Sequence, residues 1–259
     1  MLSRDNQFVK HALKLKQKKY RDEQGRFIIE GIRLIEEGIR EGLVDYILYS
    51  SKLMDTNGAG RIESSGVKMY EVSHDILKEL CDTQTPQGAA AVAVKPGGLS
   101  EDIKGDFIII ADGIQDPGNL GTIIRTADAA GGDGVILLKG TVDAYNPKTL
   151  RSTMGSVFHI PIICYDDLEN LVDSLKEKGF FIYASSLEDS ETIYNSDFKG
   201  KTAIVIGNEA NGIPKEHVKL CTHKIKIPMP GRAESLNAAS AAAIIMYEVV
   251  RQRKYQSNI

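Results

Sequence analysis

Residues 106–138 read DFIIIADGIQDPGNLGTIIRTADAAGGDGVILL, and the fold turns on how this stretch is read. Two apolar runs, Asp106 to Ala111 and Gly134 to Leu138, bracket a helix-like segment from Leu120 to Ala130. Runs without polar alternation suit strands buried on both faces. A helix between two such strands implies a crossover connection and strands that run parallel.

The same rhythm continues downstream. Ile160 to Cys164, Phe180 to Ser185 and Thr202 to Ile206 are further buried-strand candidates, with amphipathic Leu168 to Lys178 between the first two. The last long segment, Leu236 to Arg253, is alanine-rich and then aliphatic, so a helix or a partner subunit can approach it closely. Upstream the elements are shorter. Strands are expected at Arg26 to Glu30, Val44 to Tyr49, Lys68 to Val72 and Gly88 to Val94. Helices are expected over Ile32 to Glu41 and, capped by Ser73 with Asp75 in its first turn, as far as Cys81. A polar loop follows Tyr49 as far as Gly66, and Lys95-Pro96-Gly97-Gly98-Leu99-Ser100 suits no regular element. The fold class is therefore α/β in two parts: a small N-terminal α/β domain over 1–95, a linker over 96–104, and a mainly parallel α/β domain over 105–259. Sheets of the second kind bind nucleotide-like ligands at the carboxyl ends of their strands.

A chain of 259 residues, 42% hydrophobic and 26% charged, can bury two cores and is neither disordered nor fibrous. No apolar run nears the ~20 residues that span a bilayer, and Met1 to Asn6 lacks the apolar stretch of a signal peptide. Neither a membrane nor a metal is expected as a partner. Cys81, Cys164 and Cys221 lie far apart, which fits a reducing cytoplasm. The five histidines have no metal-site spacing.

The net charge of −3 is an average over unlike parts. The first 21 residues carry seven basic side chains against Asp5, a net of +6, leaving 25 basic and 34 acidic, or −9, in the rest. Lys14, Lys16, Lys18, Lys19 and Arg21 interleave with Phe8, Val9, Leu13 and Leu15 at roughly helical spacing. Such a segment either packs its apolar stripe and turns its lysines toward phosphates, or is a solvated basic helix.

Three loops of the second domain are candidates for chemistry. Asp112 to Gly121 (DGIQDPGNLG) has neither a Walker ending nor a dinucleotide fingerprint, which speaks against a Rossmann dehydrogenase. It is either a tight turn capped by Asn119 or an anion site that Arg125 faces from the helix. Gly207 to Pro214 (GNEANGIP) follows a strand at the end where ligands bind, yet it is also ordinary turn chemistry. Ile227 to Asn237 (IPMPGRAESLN) leads into the final helix, with Ser235 or Asn237 as candidate N-cap.

Taken in order, Asn119 to Arg125 (NLGTIIR), Ile206 to Ile213 (IGNEANGI) and Ile227 to Ala238 (IPMPGRAESLNA) resemble the three motifs of the SpoU (TrmH-like) RNA methyltransferases of the SPOUT class. Arg151 to Ser156 (RSTMGS) resembles the family's intermediate stretch. Tyr20-Arg21, Phe27 to Gly31 (FIIEG) and Gln84 to Gly88 (QTPQG) are similar to the substrate-binding domain that many members carry.

The resemblance implies a catalytic domain closed by a trefoil knot and methyl transfer from S-adenosylmethionine to a ribose 2′-hydroxyl. It implies catalytic roles for Asn119, Arg125, Glu209, Ser235 and Asn237. Cofactor contacts are implied at Ile206, Gly207, Asn208, Ile227, Met229, Ser235, Leu236 and Asn237. A guanidinium stays protonated, so Arg125 suits fixing a phosphate and stabilising a developing alkoxide better than acting as a base. Glu209 either orients Arg125 or takes a proton through water. RNA is the implied partner, through Lys14, Lys16, Lys18, Lys19, Arg21 and Arg125, and a homodimer is the implied assembly. The first domain favours 23S ribosomal RNA; a tRNA 2′-O-methyltransferase and a non-catalytic RNA-binding assembly factor are the alternatives.

Overall fold

In the computed structural model, which describes residues 1–96, 105–186 and 189–255, the chain opens with two helices, α1 (Gln7–Lys14) and α2 (Lys18–Gln24). Val9, Ala12 and Leu15 are buried, while Lys14, Lys16, Lys18 and Lys19 stay exposed, so the basic segment docks its apolar stripe. Arg21 corrects the expectation of an RNA contact. It is 5% exposed, and its Nη1 donates to the carbonyl oxygens of Leu15 and Lys16 at 2.9 and 2.8 Å. Those carbonyls end α1 and lack helical partners, so the guanidinium closes the turn between the helices.

The first sheet is built from β1 (Arg26–Glu30), β2 (Val44–Tyr49), β3 (Lys68–Glu71) and β4 (Ala89–Val94), with α3 (Ile32–Arg40), α4 (Ala59–Glu63) and α5 (His74–Leu80) connecting them. Its order is β1-β4-β2-β3; β4 runs antiparallel to β1 and β2, and β2 parallel to β3. The alanine-rich run is thus an inner strand, buried on both faces as its lack of polar alternation requires. Ser73 caps α5 by accepting from the Ile76 amide, as expected. Helix α4 lies in the stretch read as polar loop.

The second unit begins with β5 (Phe107–Asp112), α6 (Pro117–Ala129) and β6 (Gly134–Leu138). The chain then gives Tyr145–His159, which contains α7 (Pro147–Thr153), to the first unit. It resumes the second unit with β7 (Ile162–Tyr165), α8 (Leu168–Glu177), β8 (Phe181–Ser185), β9 (Glu191–Thr192), β10 (Thr202–Gly207), α9 (Lys215–Leu220), β11 (His223–Lys226) and α10 (Ala238–Lys254). The sequence reading puts 145–159 in the second domain; long-range side-chain partners decide otherwise. Arg151 pairs with Glu30 at 2.7 Å and Asp82 at 2.9 Å, and His159 Nε2 lies 2.9 Å from Glu37. Phe27 packs against Tyr145 and Phe158, with ring centroids 4.8 and 5.8 Å apart. Of the expected 96–104 linker, all but Pro96 lies outside the described residues.

The second sheet has the order β7-β6-β5-β10-β8-β11-β9, and every pairing in it is parallel. Ile108, Ile110, Ile136 and Val205 are buried in one core with Leu168, Leu171, Val172 and Leu175 of α8. From β5 the chain moves outward to β6 and β7, while β10 takes the other side of β5. The order reverses between those two strands, and a crevice opens at such a point. Asp112 and Gly207 pair in register, so both strands end at one level and their loops emerge side by side.

Gly207 is required for close approach. A Cβ there would lie 2.3 Å from the Gly212 carbonyl carbon and 2.4 Å from the Ile213 nitrogen. Gly207→Ala is therefore expected to cost about 1–3 kcal/mol, read as a lower urea midpoint. Gly60→Ala, whose added Cβ would meet nothing within 4 Å, should show no such loss.

Candidate active site

Helix α6 starts earlier than its hydrophobic pattern indicates, and this corrects the cap. Asp116 is the N-cap, with Oδ1 accepting from the Asn119 amide at 2.9 Å, and Pro117 occupies the first turn. The Asn119 side chain is thereby available to the loops facing it. Its Nδ2 donates to Glu209 Oε1 at 2.9 Å, and its Oδ1 accepts from Asn237 Nδ2 at 2.9 Å. Asn237 Oδ1 caps α10 by accepting from the amides of Ala239 and Ser240. The first, second and third candidate loops are thus joined by a single chain of hydrogen bonds.

The ends of that chain set its direction. A carboxylate only accepts and backbone amides only donate, so both asparagine amides have one permitted orientation. Glu209 also accepts from the amides of Gln115 and Asp116, each at 3.2 Å. Burial works against its ionisation, but the bonds from Asn119 and from the backbone amides of Glu209, Gln115 and Asp116 outweigh it. They hold the carboxyl below the usual glutamate range. Glu209 is therefore ionised at neutral pH and a poor proton acceptor. It is bonded to Asn119 rather than to Arg125.

Two more bonds fasten the second loop to the end of β5. Asn208 Nδ2 donates to the Gly113 carbonyl at 2.8 Å, and its Oδ1 accepts from the amides of Ala210 and Asn211. His217 Nδ1 lies 2.7 Å from Oδ2 of the buried Asp112.

Beside the second and third of these loops lies a cavity of about 610 Å³. Ile206, Gly207, Asn208, Ile227, Met229, Ser235 and Leu236 line it, as does Glu209. Asn237 does not line it and acts through Asn119 and the α10 cap. Asn119 and Arg125 lie outside the lining too; Arg125 is exposed on α6, and among the described residues no carboxylate salt-bridges it. Sequence reasoning missed Ser185 at the end of β8, Asp189 beyond it, and Lys219, Lys224 and Lys226 around β11. The Lys-Ile-Lys alternation just before Ile227 was the available signal.

The volume falls within the ~300–1,000 Å³ of small-molecule sites. Ile206, Ile227, Leu236 and Ile245 offer apolar walls to a flat ring, and the ionised Glu209 suits a cationic ligand group. A nucleoside with a charged tail fits this set of neighbours. In the first unit, ligand atoms of Glu37, Glu41 and His159 lie within 4.8 Å of one another, although neither charge run nor spacing marks them. Arg40 Nη1 already donates to both Glu37 oxygens, at 2.7 and 2.6 Å.

Comparison with known proteins bears on both units. The sequence pattern of the SpoU rRNA Methylase family matches residues 106–247, and that of the MRM3-like substrate binding domain matches residues 6–91. The 23S rRNA (guanosine(2553)-2′-O)-methyltransferase RlmP of Bacillus subtilis is 39% identical over 248 residues, covering 95% of this chain and 97% of that protein. The AdoMet complex of the SpoU methyltransferase AviRb from Streptomyces viridochromogenes superposes with a TM-score of 0.84 at 30% identity, over 95% of this chain and 98% of that one. The AdoMet-bound rRNA methyltransferase of Sinorhizobium meliloti gives 0.82 at 33% identity, over 97% of each. The loops of the second and third motifs line the cavity, the first is tied to them through Asn119, and the chain belongs to the SpoU rRNA methylase family.

Proposed function

We propose that this chain methylates one ribose 2′-hydroxyl of 23S ribosomal RNA, using the Asn119–Glu209–Asn237 junction to hold its cofactor cavity closed. It is an S-adenosylmethionine-dependent RNA methyltransferase, as its family and its cofactor-bound structural neighbours indicate. The hydrogen-bond chain through the three motif loops, beside a nucleoside-sized cavity, carries the reading. S-adenosylmethionine supplies an activated methyl group on its sulfonium.

The acceptor is the harder partner, because a ribose hydroxyl is a weak acid. Arg125 keeps its charge and is exposed, so it can hold a phosphate beside that ribose and stabilise the alkoxide as it develops, while the hydroxyl proton passes to solvent. Glu209, ionised and bonded to three donors outside its own residue, fixes Asn119 and the 113–116 turn rather than moving a proton. Ser235 and Asn237 offer neutral hydrogen bonds for orienting the sugar.

Lys14, Lys16, Lys18 and Lys19 form an exposed edge for RNA on the first unit. A homodimer through α10 belongs to the same reading, supported by Ile244 and Tyr247, which are 38% and 51% exposed on that helix. So does the family's trefoil knot, in keeping with β10 entering the sheet beside the much earlier β5. The cytoplasm is the proposed workplace, in keeping with three free cysteines; among the described residues no helix is long and apolar enough to cross a membrane.

Three measurements test this. Arg125→Ala is expected to lower kcat by about 100- to 1,000-fold in a methyl-transfer assay while leaving cofactor affinity within about twofold. Full turnover in that variant removes Arg125 from the mechanism. Because the folded pKa of Glu209 is lowered, its stabilising bonds are complete above the ordinary glutamate value and are lost as pH falls through the folded value. Cofactor affinity by calorimetry should therefore show no pH dependence from Glu209 between about pH 6 and 8 and should weaken as the pH falls below about 4. Replacing Lys14, Lys16 and Lys18 by glutamate should weaken RNA binding and flatten its dependence on salt; an unchanged affinity at low salt makes α1 and its following turn a plain surface.

A further inference from the structure

We infer that Lys219, Lys224 and Lys226, on the wall of the cofactor cavity, form a phosphate-binding track for the RNA strand that enters the active site. The inference rests on the proposed RNA methylation and adds a second basic surface, distinct from the N-terminal lysines. All three side chains are exposed, all line the cavity, and among the described residues no carboxylate salt-bridges any of them.

Their placement follows from local structure. In β11, Ile225 is buried while Lys224 and Lys226 are exposed, so the two-residue period of a strand turns both lysines to one side. Lys219 comes from the last turn of α9, immediately before that strand. The part of the chain beyond residue 21 carries a net −9, so a row of unpaired cations there needs a reason.

Charge counting points to a polyanion rather than the cofactor. S-adenosylmethionine carries a sulfonium, an ammonium and one carboxylate, so it is a net cation. One positive group would satisfy its carboxylate. Lys215, a fourth lysine on the same wall, can serve that carboxylate, and the three further cations would repel the sulfonium unless phosphates neutralise them. The acidic groups on the same cavity, Glu209 and Asp189, suit the cofactor's positive end. Phosphodiesters of an incoming strand are the ligands that match the lysines, and neutralising phosphates is the main source of RNA affinity.

The test replaces Lys219, Lys224 and Lys226 by glutamine, together and singly, in the full chain. Binding to unmodified 23S rRNA transcribed in vitro is measured against salt, with cofactor binding measured separately by calorimetry. Each lost phosphate contact should reduce the slope of log affinity against log salt by about 0.7–0.9, or roughly 2 to 3 for the triple variant. Between about 50 and 200 mM salt, the wild type should then lose about 20- to 40-fold more affinity than the triple variant. The KM for RNA should rise while cofactor affinity stays unchanged. A slope equal to that of the wild type overturns the track, and so does a fall in cofactor affinity without a change in slope. If the triple variant does not fold, the single variants decide by the same slope. A wild-type chain that transfers no methyl group to this RNA would instead overturn the proposed function, so the two failures are distinguishable.

Discussion

Glu209 is the constraint on which the site depends, because a carboxylate can only accept hydrogen bonds. It sits just beyond the end of β10 and receives the amides of Gln115 and Asp116 from the loop after β5. It also receives Asn119, and through it Asn237, at the start of the last helix. Each asparagine must present its amide nitrogen toward the carboxylate end of the chain and its oxygen away from it. Three segments distant in sequence thereby acquire one shared geometry. The register of Asp112 with Gly207 makes this possible by ending β5 and β10 at the same level.

Much of the fold was legible because buried parallel strands leave continuous apolar runs. DFIIIA, GVILL and the run ending at Ile206 all fall on strands of the second sheet, and the helix between the first two is present. Some of the short elements were not legible. Helix α4 lies in a glycine-containing polar stretch, and β11 shows its alternation over only four residues. The start of α6 was misplaced for a clear reason. Hydrophobic periodicity begins at Leu120, but Asp116 and Pro117 begin the helix by capping chemistry.

The site divides along the same line. The motif residues that line the cavity were identifiable because three loops follow in a fixed order, and seven of the eight residues expected to contact a cofactor do line it. What no motif discloses is which side chain bonds to which. Glu209, expected either to orient Arg125 or to take a proton through water, is bonded to Asn119, and Arg21, expected to contact RNA, is buried against the end of α1. Local charge carried a comparable lesson: a basic segment at the N-terminus was visible as a run, whereas the cavity wall that Lys219, Lys224 and Lys226 share is assembled only by the fold.

The excursion of Tyr145–His159 has a bearing on how such a protein is made and recombined. The first unit is discontinuous, and the carboxylate of Glu30 waits for Arg151, a partner encoded 121 residues later. A ribosome must therefore have released β5, α6 and β6 of the second unit before the first can acquire its last helix. Synthesis cannot finish the first unit before it has begun the second. For the same reason, an exchange of the N-terminal unit between relatives has to carry this short internal segment with it, or leave Glu30 without Arg151 and Phe27 without Tyr145 and Phe158.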